Sequence, residues 1–170
     1  MNTNTTNPTR SLDDAEQAAR VRKAIHSRSF ATLATVSDAG FPHAAGVVYV
    51  PVGDELYVHT MRSSRKARNI AADGRVGVVI PVRKLPVGPP FTVQFQARAE
   101  VLAMDDPELA PLLEAGTLKA ITGHGELDMP DGCFLRVRPR GVVHTYGIGV
   151  STLAVAKDPI SNGPRSVRLG

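Results

Sequence analysis

Three short alternating runs joined by tight turns constrain this chain more than anything else in it. "FATLATV" (30–36), "PHAAGVVYVP" (42–51) and "LYVHT" (56–60) are separated only by "SDAG" and "VGDE". Connections this short cannot cross over a sheet, so the three runs must be antiparallel neighbours. The pattern recurs further on. "RVGVVIPV" (75–82) is a fourth strand, and "FTVQFQARAEVLAM" (91–104) is a long fifth. In the fifth, Val93, Phe95, Ala97 and Ala99 fall on one face and Thr92, Gln94, Gln96 and Arg98 on the other. "CFLRVRP" and "GVVHTYG" are two final strands hinged at Pro139–Gly141. The expected fold class is mainly β: six or seven antiparallel strands with a few helices, closed as a barrel that removes exposed edges.

The helices are fewer. Residues 11–28 read as one, with Ser11 as cap and Leu12, Ala15, Ala19 and Ile25 at helical spacing. A short helix follows Ser64 and ends at "DG" (73–74) with a C-terminal glycine. A third spans 105–116, capped by Asp106. Residues 117–132 read as a loop or short helix, and the segment from Ser151 has no clear period. The organisation expected is a tail at 1–10, one barrel domain at 11–150 and a C-terminal tail at 151–170. No apolar run approaches the roughly 20 residues of a membrane span, and the polar start "MNTNTTNPTR" has no apolar signal core. The single cysteine, Cys133, suits a reducing cytoplasm and reads as an inert buried thiol.

Much chemistry is missing. There is no phosphate-binding GxxxxGK[ST] loop, no GxGxxG after a strand, no GxSxG elbow and no HExxH among the five histidines. "HGELD" (124–128) reads as a polar loop rather than a metal site. A hydrolase must supply its own acid, base or nucleophile. A cofactor enzyme need not, because the cofactor carries the hard chemistry.

The remaining feature is "HTMRSSRKARNI" (59–70). A helix opening at Ser63 or Ser64 has free N–H groups and a positive dipole end. Acids usually occupy that turn, but here it holds Arg65 and Lys66. Two readings stand on these residues alone: a solvated basic face, or a seat for a phosphate monoester. Nucleic acid is disfavoured, since no aromatic residue interleaves with "RSSRKAR" and the net charge is only +4.

The combination of the "DAGFPH" turn, the "YVHTMRSSRKARNI" unit and the "QARAEVL" strand, over about 28–104, resembles the pyridoxamine 5'-phosphate oxidase-like flavin-binding split-barrel superfamily. The resemblance implies a homodimeric split barrel with cofactor at the subunit interface. It implies that Arg65 and Lys66 hold the cofactor phosphate beside Ser64, with His59 and Thr60 in the same groove. It implies that the backbone of Ala45, Gly46, Val47 and Val48 runs along the isoalloxazine ring. Thr92 matches a cofactor-contacting Gln of the oxidases, and Gln94 is its substitute on the same face. Two basic positions of the true oxidases are Ala45 and Val50 here, so pyridoxamine phosphate oxidation is not expected. The sequence is closer to a branch whose members use FMN or the deazaflavin F420, a few binding haem. Arg62, Arg83 and Lys84 are within the range of residues that could reach the acidic tail of F420.

The expected function is a dimeric FMN- or F420-dependent oxidoreductase acting on a small molecule, with His43, His144 and Tyr146 as substrate-side candidates and no metal, nucleic acid or membrane partner. The alternative is a split barrel that binds flavin or haem without turnover, as a carrier or sensor.

Overall fold

The computed structural model describes residues 8–83 and 91–169. Eight strands form one antiparallel sheet: β1 (Phe30–Val36), β2 (Pro42–Val48), β3 (Val50–Val52), β4 (Glu55–Met61), β5 (Arg75–Val82), β6 (Phe91–Leu102), β7 (Gly132–Tyr146) and β8 (Pro164–Val167). Their order is β2-β1-β5-β6-β7-β4-β3, with β8 on β7. The two ends of this path, β2 and β3, are consecutive in the chain with only Tyr49 between them. The sheet therefore curls into a half-closed barrel. It is tied by covalent chain at Tyr49 and splits open where β2 parts from β4.

The alternation read in the sequence is the burial pattern. Val93, Phe95, Ala97 and Ala99 of β6 are buried while Gln94, Gln96 and Arg98 face out. They join Leu33, Val78, Ile80, Leu135 and Val137 in one core. Helix α1 (Pro8–His26) closes one mouth of the barrel with Val21 and Ile25, and the buried Tyr49 hydroxyl donates to the Ile25 carbonyl at 2.7 Å. Helix α2 (Arg65–Ala72) contributes Ala67 and Ile70. A second cluster, with Tyr57, Leu102, Leu109, Leu118, Ile121 and Phe134, fills the space under residues 105–128.

Several expectations need correction. Helix α1 begins at Pro8, so Ser11 lies inside it and is not its cap. The run 42–51 is two strands, because Tyr49 turns inward and its N–H bonds the Ser29 carbonyl at 2.8 Å. The glycine after α2 is not a left-handed cap. Asp73 ends the helix in extended geometry, and Gly74 is needed because a Cβ there would fall on the Ala99 carbonyl oxygen. The helix expected at 105–116 shrinks to α3 (Ala110–Glu114), with turns before it. The two final strands are one strand, β7. A register shift opposite Phe95/Gln96 absorbs Gly141 and Val142, so the ladder resumes beyond the irregularity. The segment from Ser151 is ordered as α4 (Thr152–Lys157), α5 (Pro159–Asn162) and β8, which pairs Val143–Tyr146. The basic, Pro/Gly-rich run "RKLPVGPP" (83–90), which reads as a loop and holds Lys84, lies outside the described residues beyond Arg83, and of the tail expected at 1–10 only residues 8–10 are described, as the start of α1. Among the described residues, no helix is long and apolar enough to cross a membrane.

One charged group is built into the wall. Arg136 of β7 is 6% exposed and pairs with both Glu100, at 2.7 Å, and Glu108. Glu108 belongs to the turn leading into α3, so this guanidinium fastens the 105–128 segment to the barrel. Arg136→Ala should cost about 2–4 kcal/mol in denaturant unfolding, because it opens a hole and leaves Glu108 without its partner, while Glu100 keeps only Arg138. Arg136→Met, which fills the hole, should recover much of that loss. Equal loss in both variants would show that charge pairing rather than volume dominates.

Candidate functional site

The basic turn lies where the barrel splits. Strand β4 ends at Met61, and two bonds from the opposite strand's approach fix the turn that follows. The Arg62 N–H donates to the Asp131 carbonyl at 2.7 Å, and the Ser63 N–H donates to the Asp131 carboxylate at 3.0 Å. The bonds from Ser63 hold the Asp131 carboxyl below the usual carboxylate range. Ser64 is the N-cap of α2, with φ −64° and ψ 147°, and its hydroxyl accepts from the Ala67 N–H at 3.4 Å. Thr60 Oγ1 lies 3.4 Å from the same hydroxyl. On the buried face of α2, Asn69 donates to Thr35 Oγ1 at 2.9 Å, which pins the helix to β1. The first turn of α2 thus holds Arg65 and Lys66 against the helix dipole, and neither is paired with an acid among the described residues.

A cavity of about 360 Å³ opens beside this turn, lined by Gly46, Val47, Val48, His59, Lys66 and Glu126 among others. One wall is β2, which pairs with β1 on one side and, among the described residues, with no strand on the other. The N–H and C=O groups along that open edge are free to bond a flat polar ring. The opposite wall is His59 and Lys66. The roof is Ala120, Ile121 and Glu126. These three were not expected from the sequence. The signal was the glycine-punctuated stretch "GTLKAITGHGELD" (116–128), whose chemistry is visible only once Ile121 anchors it in the second core.

His59 is held edge-on to Phe134, with ring centroids 5.3 Å apart and planes at 74°. Its Nε2 is buried without a hydrogen-bond partner. Burial pushes its imidazole below the ordinary value of 6.5, and the Glu126 carboxylate pulls it partly back. The lowered value means the unfolded chain takes up a proton at a higher pH than the folded one. His59 therefore adds stability above its ordinary value, and loses it as pH falls through the lowered folded value. Thermal melts taken as the pH falls below about 6.5 should show this loss, and His59→Gln should flatten it. An unchanged slope would mean another group titrates.

The structure divides the remaining sequence candidates. Ala45, half-buried, continues the β2 wall, and Arg65 is exposed beside Lys66. Thr92 and Gln94 lie on the outward face of β6, paired across to Tyr146 and His144 of β7. His144 Nδ1 is 2.9 Å from Ser166 Oγ of β8. His43 is on β2 opposite Thr35, with Nδ1 buried and unpartnered. Within one chain, then, Gly46, Val47, Val48, His59 and Lys66 come together at the split, while Thr92, Gln94, His144 and Tyr146 form a separate group. Arg62 is exposed and lines another cavity with Arg98 and Arg138, and Arg83 gives its carbonyl to Arg28. Cys133 is fully buried in β7, and burial pushes its thiol up, which leaves it unreactive. Glu126 of the "HGELD" stretch accepts the His124 N–H at 2.7 Å.

No curated protein matches the chain. Among solved structures, it resembles HutZ, the haem storage protein of Vibrio cholerae, at 19% identity over 77% of this chain and 95% of that one, with a TM-score of 0.65. A haem-binding protein from Mycobacterium smegmatis matches at 23% identity over 89% and 57%, TM-score 0.68. A FAD-binding protein from Mesorhizobium loti matches at 21% identity over 74% and 90%, TM-score 0.61. These likenesses concern the fold. The family model for pyridoxamine 5'-phosphate oxidase matches residues 18–146, from α1 to the end of β7. With the split barrel and the "SRK" turn at its opening, this places the chain in the pyridoxamine 5'-phosphate oxidase family.

Proposed function

We propose that the protein is a flavin-dependent oxidoreductase acting on a small-molecule substrate, with FMN as the cofactor and F420 as the alternative. The observation that carries this reading is the pairing, across one cavity, of an open strand edge with an unpaired Lys66. The residues fit the group. Lys66 and Arg65 meet a phosphate with charge-assisted bonds, Ser64 and Thr60 offer hydroxyls behind them, and the β2 edge offers backbone donors and acceptors to a ring. Buried His59 Nε2, still unpartnered, marks a polar environment that the free chain leaves incomplete. A bound flavin would supply the two-electron chemistry. The chain's part is to anchor the phosphate, orient the ring along β2 and exclude water under Ile121. Ala45 and Val50, uncharged where the true oxidases carry basic groups, argue for a substrate other than pyridoxamine phosphate.

A homodimer belongs to the same reading. Phe30 (49% exposed), Val48 (52%) and Val79 (38%) leave an apolar patch on the outward face of β1, β2 and β5, which a second copy would cover. Its partner face would bring Thr92, Gln94, His144 and Tyr146 towards the other copy's split, with His43 nearby. The lone buried thiol is consistent with a cytoplasmic protein.

The second reading is haem or flavin bound without turnover. His59 favours it, as an imidazole lining the split, and two of the similar structures are described as haem proteins. The deciding experiment is the absorption spectrum of the purified protein, with mass spectrometry of what heat releases. A flavin or deazaflavin mass supports the first reading and names the cofactor. A Soret band moves the protein to the second. A colourless protein that binds neither FMN nor F420 on titration overturns both flavin assignments.

A further inference from the structure

The imidazole at the split has one nitrogen walled in and one open, and the strand pattern explains the difference. On β4, Leu56 and Val58 face the main core and Tyr57 faces the second. His59, two residues past Tyr57, therefore points to the second core's side, beneath the roof. Its neighbours across the ladder are on β7. Phe134 lies directly opposite, and Gly132, opposite Met61, is the next position on that face. The ring lies over the place where Gly132 has no side chain. A Cβ there would come within 3.1 Å of His59 Nε2, 3.2 Å of Met104 Sδ and 3.0 Å of the Met129 carbonyl oxygen. Nε2 is thus enclosed by Gly132, Met104 and the Phe134 ring, while Nδ1 is not shut off in this way.

A neutral imidazole carries one proton, and its surroundings decide which nitrogen holds it. On Nε2 the N–H would be stranded. No acceptor is placed to bond it, and the Met129 carbonyl already accepts the Gly132 N–H at 2.9 Å. A buried donor without an acceptor is costly. On Nδ1 the proton meets the cavity, where water or a ligand can accept it. Glu126 lines the same cavity, and its carboxylate attracts positive charge on the His59 ring. Lys66 of α2 is the other charged group of the lining, and the His124 ring stands beyond Glu126, with Nδ1 3.7 Å from the carboxylate. The opposite tautomer would strand the donor and set a lone pair in the field of the carboxylate.

We propose that His59 faces the split as a fixed Nδ1–H donor, selected by the Gly132 wall and by Glu126, so that the ligand atom meeting it is an acceptor: a carbonyl oxygen or an unprotonated ring nitrogen. The inference rests on the split being the binding site, and it separates the two readings of that site. An iron needs a lone pair on the nitrogen that faces it, and a protonated Nδ1 has none. An imidazole lining the split is therefore not enough for haem. A flavin ring or a carbonyl substrate offers the acceptor that this donor requires. Gly132 and Glu126 act through His59 as positioning residues, one by leaving room for the ring and the other by choosing its tautomer.

Nitrogen NMR of the full chain, labelled at histidine and free of cofactor, tests it. The imidazole is kept neutral, above its ordinary value of 6.5. Correlations to the ring protons Hδ2 and Hε1 tell the two nitrogens apart, and His59→Asn identifies the signal. The expected result is a proton on Nδ1 and a lone pair on Nε2, with the Nε2–H share rising several-fold in Glu126→Gln. Titration with FMN then reads the donor. His59→Leu should weaken binding by about tenfold, and His59→Asn, whose amide falls where Nδ1 was, should recover most of that loss. Four results overturn the proposal: Nε2–H or an even mixture in the free protein; a tautomer ratio unchanged in Glu126→Gln; FMN affinity unchanged in His59→Leu; or added hemin whose iron is ligated in the parent chain and not in His59→Leu. A chain that shows Nδ1–H but binds no FMN keeps the donor and loses the flavin, so the two failures are distinguishable.

Discussion

Replacing Arg65 and Lys66 together by alanine should weaken FMN binding by at least a hundredfold. Each charge-assisted bond to a phosphate contributes about 1.5–3 kcal/mol, so two contribute about 3–6 kcal/mol, and about 1.4 kcal/mol is tenfold in affinity. The two residues do not share the loss equally. Lys66 is half-buried and lines the cavity, whereas Arg65 is exposed beside it, so Lys66→Ala alone should carry most of the effect. The folded state should not suffer, because both cations oppose the dipole of α2 and neither is paired. Flavin fluorescence titration measures the affinity and a thermal melt checks the fold. Unchanged affinity with an intact melt would remove the phosphate from this turn.

Gly147→Ala should be the most damaging single methyl in the molecule. Gly147 closes β7 with φ +74°, a left-handed conformation that costs a residue with a side chain about 1 kcal/mol or more. Its Cβ would fall inside the ring of Phe91, which is 1% exposed at the start of β6. Overpacking of this kind costs about 1–3 kcal/mol further. The neighbouring Tyr146 cannot yield easily, since its own ring packs on Gly163 and the Gly147 N–H is bonded to the Gly163 carbonyl at 2.8 Å. The expected loss is about 2–5 kcal/mol in denaturant unfolding. Phe91→Leu in the same chain should restore part of it by making room. A loss no larger than that of a surface substitution would mean that the β7 end and the C-terminal segment move together without strain.

The sequence carried the strands whose side chains alternate without interruption. β1, β5 and β6 were legible because each buries one face and exposes the other over seven or more residues. β7 was misread because Pro139 and Gly141 carry the marks of a turn. In the folded chain Pro139 lies opposite Ala97, and the extra residues are taken up as an irregularity, a choice made by the partner strand rather than by local propensity. Tyr49 hid the break between β2 and β3, since an apolar aromatic is at home in a strand and only the Ser29 and Ile25 carbonyls reveal its role. The elements after Ser151 are four to six residues long, too short for a period to emerge. For the candidate site, "SRK" stands out in the sequence because its cations oppose the helix dipole, and the structure brings its Lys66 together with His59 at the split. Ala120, Ile121 and Glu126 do not stand out, because a roof is defined by where a loop lands.

The unpaired side of β2 has a consequence for handling the protein. A bare strand edge is a template on which another chain can lay its own strand, and among the described residues no strand covers the Gly46–Val48 stretch: Gly46 has no side chain and Val48 is exposed and uncharged. Whatever fills the split also shields that edge. Preparations should therefore cloud or form large assemblies in proportion to the fraction of empty molecules, and shelf life should track occupancy more closely than it tracks melting temperature.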